Sequence, residues 1–349
     1  MPIPELSVII PAYQAAGVIG CCVEALQSQT LPRSMYEIIV VDDGSSDGTA
    51  EAARAAGADR VLRIPHAGPA AARNAGLQAA RGEIVLFTDA DCEPSPTWLE
   101  RMVEPFSDPT VAGVKGTYRT RQRERIARLV QLEYEFRYAR MARMARIDFV
   151  DAYAAAYRRG VLIRAGGFDP AFPVPSAEDV ELSFRLARAG HRLVFAPEAW
   201  VWHRHPTRLG HYLRRKARYG FWRALLYLRY PEKIHGDAHT DPALKVQLAL
   251  LILIGAGLAS AWVHPLALGL SGMALLGFLF STFPFVRWAW GRDREVALLW
   301  PWVTLLRVAV QGAALAIGLL YHAGFTPRPI PCASTKLPDP PDGQPPAEG

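Results

Sequence analysis

Two carboxylates stand two positions apart at the end of an apolar run in this 349-residue chain, where Asp89 and Asp91 close the segment E-I-V-L-F-T-D-A-D. Mg²⁺ and Mn²⁺ prefer oxygen ligands, and they commonly take one or two carboxylates together with the phosphate oxygens of a substrate. A D-x-D pair occurs by chance in many loops, so its place at the end of a strand pattern gives it weight. The pair predicts a site for a divalent metal and a phosphorylated ligand.

A second acidic cluster lies in the segment V-V-D-D-G-S-S-D-G-T, residues 40–49. A carboxylate such as Asp43 accepts hydrogen bonds from a nucleobase or a ribose, and the amides that open the following helix suit an anion. The alternative is structural, with Asp42 and Ser45 shaping the turn and Asp47 capping the helix. We favour a ligand role for Asp43 and the structural role for Asp47.

Two further acids, Glu178 and Asp179, precede a helical pattern shortly after the G-G-F-D segment at 166–169. The dipole of a helix favours carboxylates at its N-terminus. Taken alone, these residues therefore indicate the start of a helix. A catalytic duty for them follows only from the order of motifs along the chain.

Alternating strand and helix patterns surround these acids and must position them. Short continuous apolar runs are typical of parallel strands that are covered on both faces. Strands are expected at 6–10, 37–43, 61–64, 83–91 and 111–116, and helices at 17–29, 49–56, 69–80, 96–106 and 124–146. This rhythm predicts an α/β fold with a doubly wound, mostly parallel, Rossmann-like sheet, in which ligands bind beyond the carboxyl ends of the strands.

Three apolar runs near the C-terminus predict transmembrane helices at 246–263, 266–286 and 297–321, because a helix of about 20 apolar residues crosses a bilayer. The connector at 287–295 carries three arginines and is expected on the cytosolic side. The N-terminal part is then expected to face the cytosol, in a multi-pass membrane protein. Arg307 interrupts the third run, and we expect it to snorkel or to pair with a lipid phosphate.

These patterns divide the chain into a cytosolic domain at 1–235 that ends in a basic segment, a membrane domain at 236–322 and a Pro-rich, disordered tail at 323–349. The net charge is +6, and nine arginines fall within 119–146. That helix is expected either to lie on the membrane surface or to present a solvated charged face. The cysteines are expected to be reduced, because none has the spacing of a zinc motif; they are Cys21, Cys22, Cys92 and Cys332.

In their order and spacing the motifs resemble glycosyltransferase family 2 over residues 5–200. They are I-I-P-A-Y, V-V-D-D-G-S-S-D-G-T, A-R-N-A-G-L, G-E-I-V-L-F-T-D-A-D, G-G-F-D and E-D. The resemblance implies a GT-A fold, a nucleotide-diphosphate sugar donor, a divalent metal (Mn²⁺ or Mg²⁺) and inversion at the anomeric carbon. A UDP-sugar is the favoured donor and a GDP-sugar is the alternative.

By position in these motifs, the resemblance implies that Asp179 is the general base and that Asp91 binds the metal together with Asp89. His203 is a candidate further ligand, with a structural role as the alternative. The residues implied to bind the nucleotide are Pro11, Tyr13, Asp43, Arg73 and Asp89. The residues implied on the diphosphate or acceptor side are Glu178, Arg215, Arg218 and Tyr219. The last three belong to R-K-A-R-Y, which resembles a family element that ends in Trp; a positive-inside flank is the alternative.

We therefore predict an inverting glycosyltransferase of the hexosyltransferase type that acts in cell-envelope glycan synthesis. Its acceptor would be lipid-linked or glycan and associated with the membrane, and no nucleic-acid partner is expected. The alternatives are a processive polysaccharide synthase and a non-catalytic membrane scaffold that binds nucleotide. The segment after the first strand, P-A-Y-Q-A-A-G, lacks the glycine-rich loop of nucleotidyltransferases and of nicotinamide dehydrogenases.

Overall fold

The computed structural model describes residues 4–324. The predicted Pro-rich tail lies outside the described residues beyond Gly324, and so does Cys332. The strands are β1 (Leu6–Ala12), β2 (Tyr36–Asp42), β3 (Arg60–Arg63), β4 (Ile84–Thr88), β5 (Glu93–Pro94), β6 (Val111–Arg119), β7 (Ala154–Arg158) and β8 (Arg192–Trp202). The helices of the first part are α1 (Ile19–Gln27), α2 (Thr49–Ala55), α3 (Pro69–Ala79), α4 (Trp98–Val103), α5 (Arg125–Met141), α6 (Arg159–Arg164), α7 (Glu178–Arg188) and α8 (Leu209–Arg229). The remaining helices are α9 (Ala243–Ser260), α10 (Leu266–Ser281), α11 (Phe283–Trp290) and α12 (Arg294–Ala323).

An eight-stranded sheet forms the core of the first part, in the order β3-β2-β1-β4-β7-β6-β8-β5. Strand β1 pairs in parallel with β2 and β4, β2 pairs in parallel with β3, and β6 pairs in parallel with β8. Strand β7 is antiparallel to both β4 and β6. The predicted mostly parallel α/β sheet is confirmed, with β7 as an antiparallel strand that joins its two halves.

The first strands are continuous apolar runs because helices cover both of their faces. Val8, Ile9 and Ile10 of β1 are fully buried. Helix α3 packs closely on this strand at Gly76, where a Cβ atom would lie 2.3 Å from the Cγ2 of Ile9. The carboxyl ends of β1, β2 and β4 therefore share one edge of the sheet, where ligands of such folds bind.

Strand β4 ends at Thr88, three residues earlier than predicted. The next residues form a tight turn, in which the Cys92 amide donates to the carbonyl oxygen of Asp89 at 3.0 Å. The turn places the D-x-D pair beyond the last residue of the strand. The pair consequently lies on a loop at the strand end, where its side chains can reach a ligand.

Helix α5 lies between the sheet and the C-terminal helices, and its charged side chains are divided between protein contacts and solvent. Leu129 and Tyr138 are buried. Arg128 forms ion pairs with Asp293 at 2.8 Å and with Glu295 at 2.5 Å, whereas the side chain of Arg125 is 75% exposed. The helix ends at Met141 rather than at 146. The predicted solvated face is therefore present in part, and contact of this helix with the membrane surface stays a prediction.

Three helical segments near the C-terminus are long and apolar enough to cross a membrane: Ala243–Ser260, Leu266–Trp290 and Arg294–Ala323. Helices α9 and α10 pack on each other as a hairpin, and their remaining surface is bare. Ile252 is 70% exposed and Met273 is 71% exposed. Apolar surface of this extent indicates contact with lipid. The second segment is longer than predicted because α10 continues through Thr282 into α11.

Helix α12 differs from the other two because helices of the first part cover one side of it. A Cβ atom on Gly220 of α8 would lie 2.4 Å from the carbonyl oxygen of Gln311, and one on Gly318 would lie as close to a carbonyl of α8. Arg307 is buried and donates to Glu133 of α5 at 2.9 Å. The expectation that Arg307 snorkels or binds a lipid phosphate is therefore wrong, because this face of α12 packs on protein.

Candidate active site

Arg73 joins acids that are far apart in the sequence. This buried residue of α3 donates through Nη1 to Glu178 at 2.9 Å and through Nη2 to Asp89 at 3.0 Å. The planar guanidinium suits two carboxylates at once. Because Asp179 follows Glu178 directly, one side chain fixes the D-x-D turn and the start of α7 in a single pocket.

The neighbouring Asn74 fixes the G-G-F-D segment against the same helix. Its Nδ2 donates to the carbonyl oxygen of Phe168 at 2.8 Å, and its Oδ1 accepts from the Phe168 amide at 2.8 Å. Gly167 adopts a φ of +69°, and a Cβ atom there would lie 2.4 Å from the Asn74 Oδ1. Asp169 ends the motif and binds Arg229 at 2.6 Å. The motif thus has a structural duty, which is to hold the chain that leads to α7.

Asp43 lies at the carboxyl end of β2 and organises the loop before α3. Its two carboxylate oxygens accept from the amides of Ala67 and Gly68 at 2.8 and 2.9 Å, and one of them lies 2.9 Å from the His66 Nδ1. Tyr13 is half exposed and stacks on the His66 ring with 4.1 Å between centroids. The carboxylate and the two flat rings therefore form one wall, at the strand end where Pro11 closes β1.

The other acids of this region shape turns. Asp42 accepts from the Ser45 amide at 2.9 Å. Asp47 accepts from the amides of Ala16 and Thr49 at 3.0 and 3.1 Å. These contacts agree with the structural role that the sequence suggested for both residues.

Asp91, Cys92 and His203 form a compact cluster beside the bridge of Arg73. Their ligand atoms lie within 4.8 Å of one another, and the His203 Nδ1 is 3.5 Å from an Asp91 oxygen. Partial loss of water around the carboxylate raises the pKa of Asp91, but the hydrogen bond and charge of His203, and then the charge of Arg215, lower it below its ordinary value. The structure brings the predicted ligands Asp91 and His203 together. Spacing along the chain did not indicate Cys92, because 111 residues separate it from His203.

Asp179 occupies the first turn of α7. One carboxylate oxygen accepts from the Ala152 amide at 3.2 Å. Burial, followed by the negative charges of Glu178 and Asp151, raises the pKa of Asp179 to about 8, although the charge of Arg73 opposes this rise. A carboxyl group with a pKa near the working pH is suited to exchange a proton.

Both carboxylate oxygens of Glu178 are engaged by protein groups, although the sequence suggested that this residue binds the diphosphate or the acceptor. One of its carboxylate oxygens accepts from Arg73, and the other accepts from the Ser176 amide at 2.9 Å. The side chain is buried. These contacts favour a positioning role in place of the expected contact with diphosphate or acceptor.

The R-K-A-R-Y segment lies within α8, and only part of it faces the pocket. Arg215 donates to the Tyr219 hydroxyl at 2.7 Å and to the Tyr134 hydroxyl at 3.3 Å. Arg218 is exposed and forms no hydrogen bond or ion pair within the described part of the chain. The exposure of Arg218 therefore does not support its predicted contact with the diphosphate or acceptor.

A buried cluster behind Asp179 escaped the sequence analysis. Lys115 is fully buried, forms an ion pair with Asp151 and donates to the Tyr153 hydroxyl at 3.1 Å. Burial lowers the pKa of Lys115, and the charge of Asp151 only partly offsets this effect. The available signal was a lysine inside an apolar strand, V-A-G-V-K-G, which indicates a buried partner.

Comparison with known proteins agrees with this geometry. The chain matches the model of Glycosyl transferase family 2 over residues 7–166. It is 35% identical over 272 residues to the pre-mycofactocin glycosyltransferase of Mycobacterium tuberculosis, which covers 73% of this chain and 54% of the relative. It is 33% identical over 234 residues to Glycosyltransferase AglE of Haloferax volcanii, which covers 62% of this chain and 72% of AglE. The chain therefore spans about half the length of its mycobacterial relative.

A solved structure shares the fold. The mannosyltransferase PcManGT from Pyrobaculum calidifontis, in complex with GDP-Man and Mn²⁺, superimposes with a TM-score of 0.57 at 25% identity, over 92% of this chain and 88% of that chain. The similarity extends through the C-terminal helices, because so little of either chain is left out. From the family match, these relatives and the shared fold, we conclude that the chain belongs to glycosyltransferase family 2 and has a GT-A fold.

Proposed function

We propose that this protein transfers a sugar from a nucleotide-diphosphate sugar to a hydroxyl group of a membrane-associated acceptor, with a divalent metal and with inversion at the anomeric carbon. The bridge of Arg73 between Asp89 and Glu178 carries the proposal. It links the turn that would face the metal and the diphosphate to the helix that would supply the base.

The donor set of the turn fits Mn²⁺ or Mg²⁺. Asp91 presents a carboxylate that is about half exposed, and the His203 Nδ1 lies 3.5 Å from one of its oxygens. Carboxylate oxygens suit Mn²⁺ and Mg²⁺. Asp89 is already held by Arg73 and would contact the nucleotide or the metal through its second oxygen. When bound, the cation would neutralise charge on the departing diphosphate. Arg215, whose charge already lowers the pKa of Asp91, would add to that effect.

The nucleotide would lie against the wall formed by Asp43, Tyr13 and His66. Tyr13 offers a half-exposed ring for a base to stack on. The nucleobase stays open between uracil and guanine. The GDP-Man in the Pyrobaculum structure supports a GDP-sugar as strongly as the motif pattern favours a UDP-sugar.

Asp179 would act as the general base. As the bond from the anomeric carbon to the nucleoside diphosphate breaks, the acceptor oxygen forms the new bond from the opposite face of the sugar, and its proton passes to the Asp179 carboxylate. Proton transfer of this kind contributes about 10²–10⁴-fold to the rate. A single attack from the opposite face inverts the configuration of the anomeric carbon.

The three apolar helical segments support a location in the membrane. The connector that contains Arg287, Arg292 and Arg294 favours a cytosolic position for the catalytic domain. An active site held at a bilayer suits an acceptor that is lipid-linked or part of a membrane-associated glycan. We favour the transfer of single sugars, because three spans are few for a polysaccharide channel.

A donor screen tests the proposal directly. The detergent-purified full chain would be incubated with Mn²⁺, a panel of UDP- and GDP-sugars and membrane lipid extracts, and release of the nucleoside diphosphate would be measured. We expect release with one donor class and a product of inverted anomeric configuration by NMR. A chain that binds nucleotide but turns over no donor would be a scaffold, and the proposal would be rejected.

The assignment of the base has its own test. Asp179→Asn should bind the Mn²⁺–donor complex with the affinity of the wild type and lose about 10²–10⁴-fold in transfer. Binding would be measured by calorimetry and transfer by release of nucleoside diphosphate. Turnover close to that of the wild type would remove Asp179 from this role.

A further inference from the structure

A cavity of about 490 Å³ lies between the catalytic domain and the C-terminal helices. We refer to it as the interface cavity. Its walls come from α5, α7 and α8 on the catalytic side, and from α9, α11 and α12 on the other. Arg137 and Lys216 are among its polar lining residues, and Phe285, Trp288 and Trp300 are among its apolar ones. Its size is that of a small-molecule binding site.

The interface cavity adjoins a smaller one that reaches the proposed base. This second cavity, of about 60 Å³, is lined by Asp179. Arg137, Lys216 and Tyr219 line both cavities. The three aromatic residues named above line only the larger one. Two cationic side chains therefore lie at the boundary with the base's cavity, and an aromatic surface lies in the larger cavity beyond them.

Arg137 is the cation at the junction of the two cavities that has no anionic partner. Lys216 binds Glu133 at 2.6 Å. In contrast, Arg137 makes no hydrogen bond or ion pair with any residue of 4–324, and its Nη1 is buried. Its guanidinium lies 4.8 Å from the centre of the Tyr134 ring. A buried guanidinium without a partner is costly, and an anionic ligand would relieve that cost through charge-assisted hydrogen bonds.

We propose that the interface cavity is the acceptor site and that the acceptor is an anionic amphiphile, a phosphate ester that carries a hydrocarbon chain. The phosphate binds Arg137, the chain lies against Phe285, Trp288 and Trp300, and the acceptor hydroxyl points to Asp179. This inference rests on the proposed function. It adds the charge of the acceptor, the cavity that binds it and Arg137 as the residue that recognises its phosphate.

Three probes separate the elements of this proposal: decyl phosphate, decanol as the uncharged amphiphile, and inorganic phosphate as the anion without a chain. Each would be titrated by calorimetry into the full chain in maltoside micelles. We expect decyl phosphate to bind saturably, and at least about tenfold more tightly than either other probe. Equal affinity for decanol would overturn the role of the charge. Equal affinity for inorganic phosphate would overturn the role of the membrane side of the cavity.

Variants locate the anion. Arg137→Gln should weaken decyl phosphate binding by about 10–100-fold, which is the range for losing a hydrogen bond to a charged group, and Arg137→Lys should fall in between. Arg146→Gln is the matched control, because Arg146 is exposed and lines neither cavity, and it should bind as the wild type does. Wild-type affinity in Arg137→Gln would overturn the proposal. If that variant does not fold, the three probes on the wild type decide.

The same preparation distinguishes this inference from the proposed function. Binding of the Mn²⁺–nucleotide complex would be measured on the wild type in parallel. Loss of selectivity among the three probes with intact nucleotide binding would overturn the acceptor site alone. Absence of nucleotide binding with selective decyl phosphate binding would reject the sugar-transfer proposal and leave the anionic site standing.

Discussion

The raised pKa of Asp179 gives the catalytic proposal a quantitative test. Its carboxyl has a pKa of about 8, and a general base acts only in its ionised form. The ionised fraction is about one in eleven at pH 7 and one half at pH 8. The kcat/KM for the metal–donor complex reports the free enzyme, so it should rise about ninefold from pH 6 to 7, about fivefold from pH 7 to 8, and at most about twofold above pH 8.

Glu178→Gln should move this profile to lower pH. The substitution removes the negative charge that ranks second, after burial, among the causes of the raised pKa of Asp179, and it keeps an amide that can still bind Arg73 or the Ser176 amide. A fall of about one pKa unit, typical for the loss of a like charge, would raise the rate at pH 7 about fivefold. Glu181→Gln is the matched control, because this equally buried acid on the same helix pairs with Arg185 instead.

The assay measures initial rates with the Mn²⁺–donor complex below its KM, from about pH 6 to 9.5 at constant ionic strength. Binding of the metal–nucleotide complex at each pH would separate titration of the base from titration of the metal ligands. A flat profile between pH 6 and 8 would refute the assignment of the raised pKa to a working base. A midpoint for Glu178→Gln that matches that of Glu181→Gln would refute its electrostatic cause.

Further outcomes follow from the other contacts. Asp91→Ala should weaken Mn²⁺-dependent nucleotide binding, because it removes the open carboxylate of the turn; an unchanged Mn²⁺ titration would contradict this. Arg215→Gln should lower transfer at least about tenfold, whereas Arg218→Gln should leave it unchanged, and equal effects in the release assay would refute the difference in their orientation. Arg307→Met should lower the free energy of unfolding by about 1–3 kcal/mol, and with it the melting temperature, because Glu133 loses one of its two cationic partners and keeps Lys216 and the Tyr212 hydroxyl; a melting temperature equal to that of the wild type would argue against the buried pair.

The sequence predicted the parts of the fold that depend on local pattern. Continuous apolar runs predicted β1, β2 and β4, since burial on both faces of a parallel sheet leaves a direct trace in composition. The order of motifs predicted that Asp89 and Asp179 share a site. Strand β7 received no prediction, because its run A-A-A-Y-R is short and its place between β4 and β6 is set by pairing with distant strands.

Features that depend on contacts between distant segments were beyond the sequence. The partner of Arg307 lies on α5, 174 residues earlier, and no local pattern specifies such a pairing. Arg137 looked like one of many arginines on a charged helix, and only packing against α8 and α12 isolates it at a cavity. Arg218 is a different case. The motif resemblance implied a contact with the ligand, but the side chain is exposed on α8.

The close contact of α8 with α12 also affects how the enzyme meets its substrate. Gly220 and Gly318 bring the two backbones together without intervening side chains. The proposed membrane helix α12 is therefore packed directly on helix α8 of the pocket, with no flexible linker between them. With the helices in a bilayer, the proposed base Asp179 would lie at a fixed height above the lipid surface. The protein would then select acceptors by the distance of their reactive hydroxyl from the membrane, in addition to any chemical recognition.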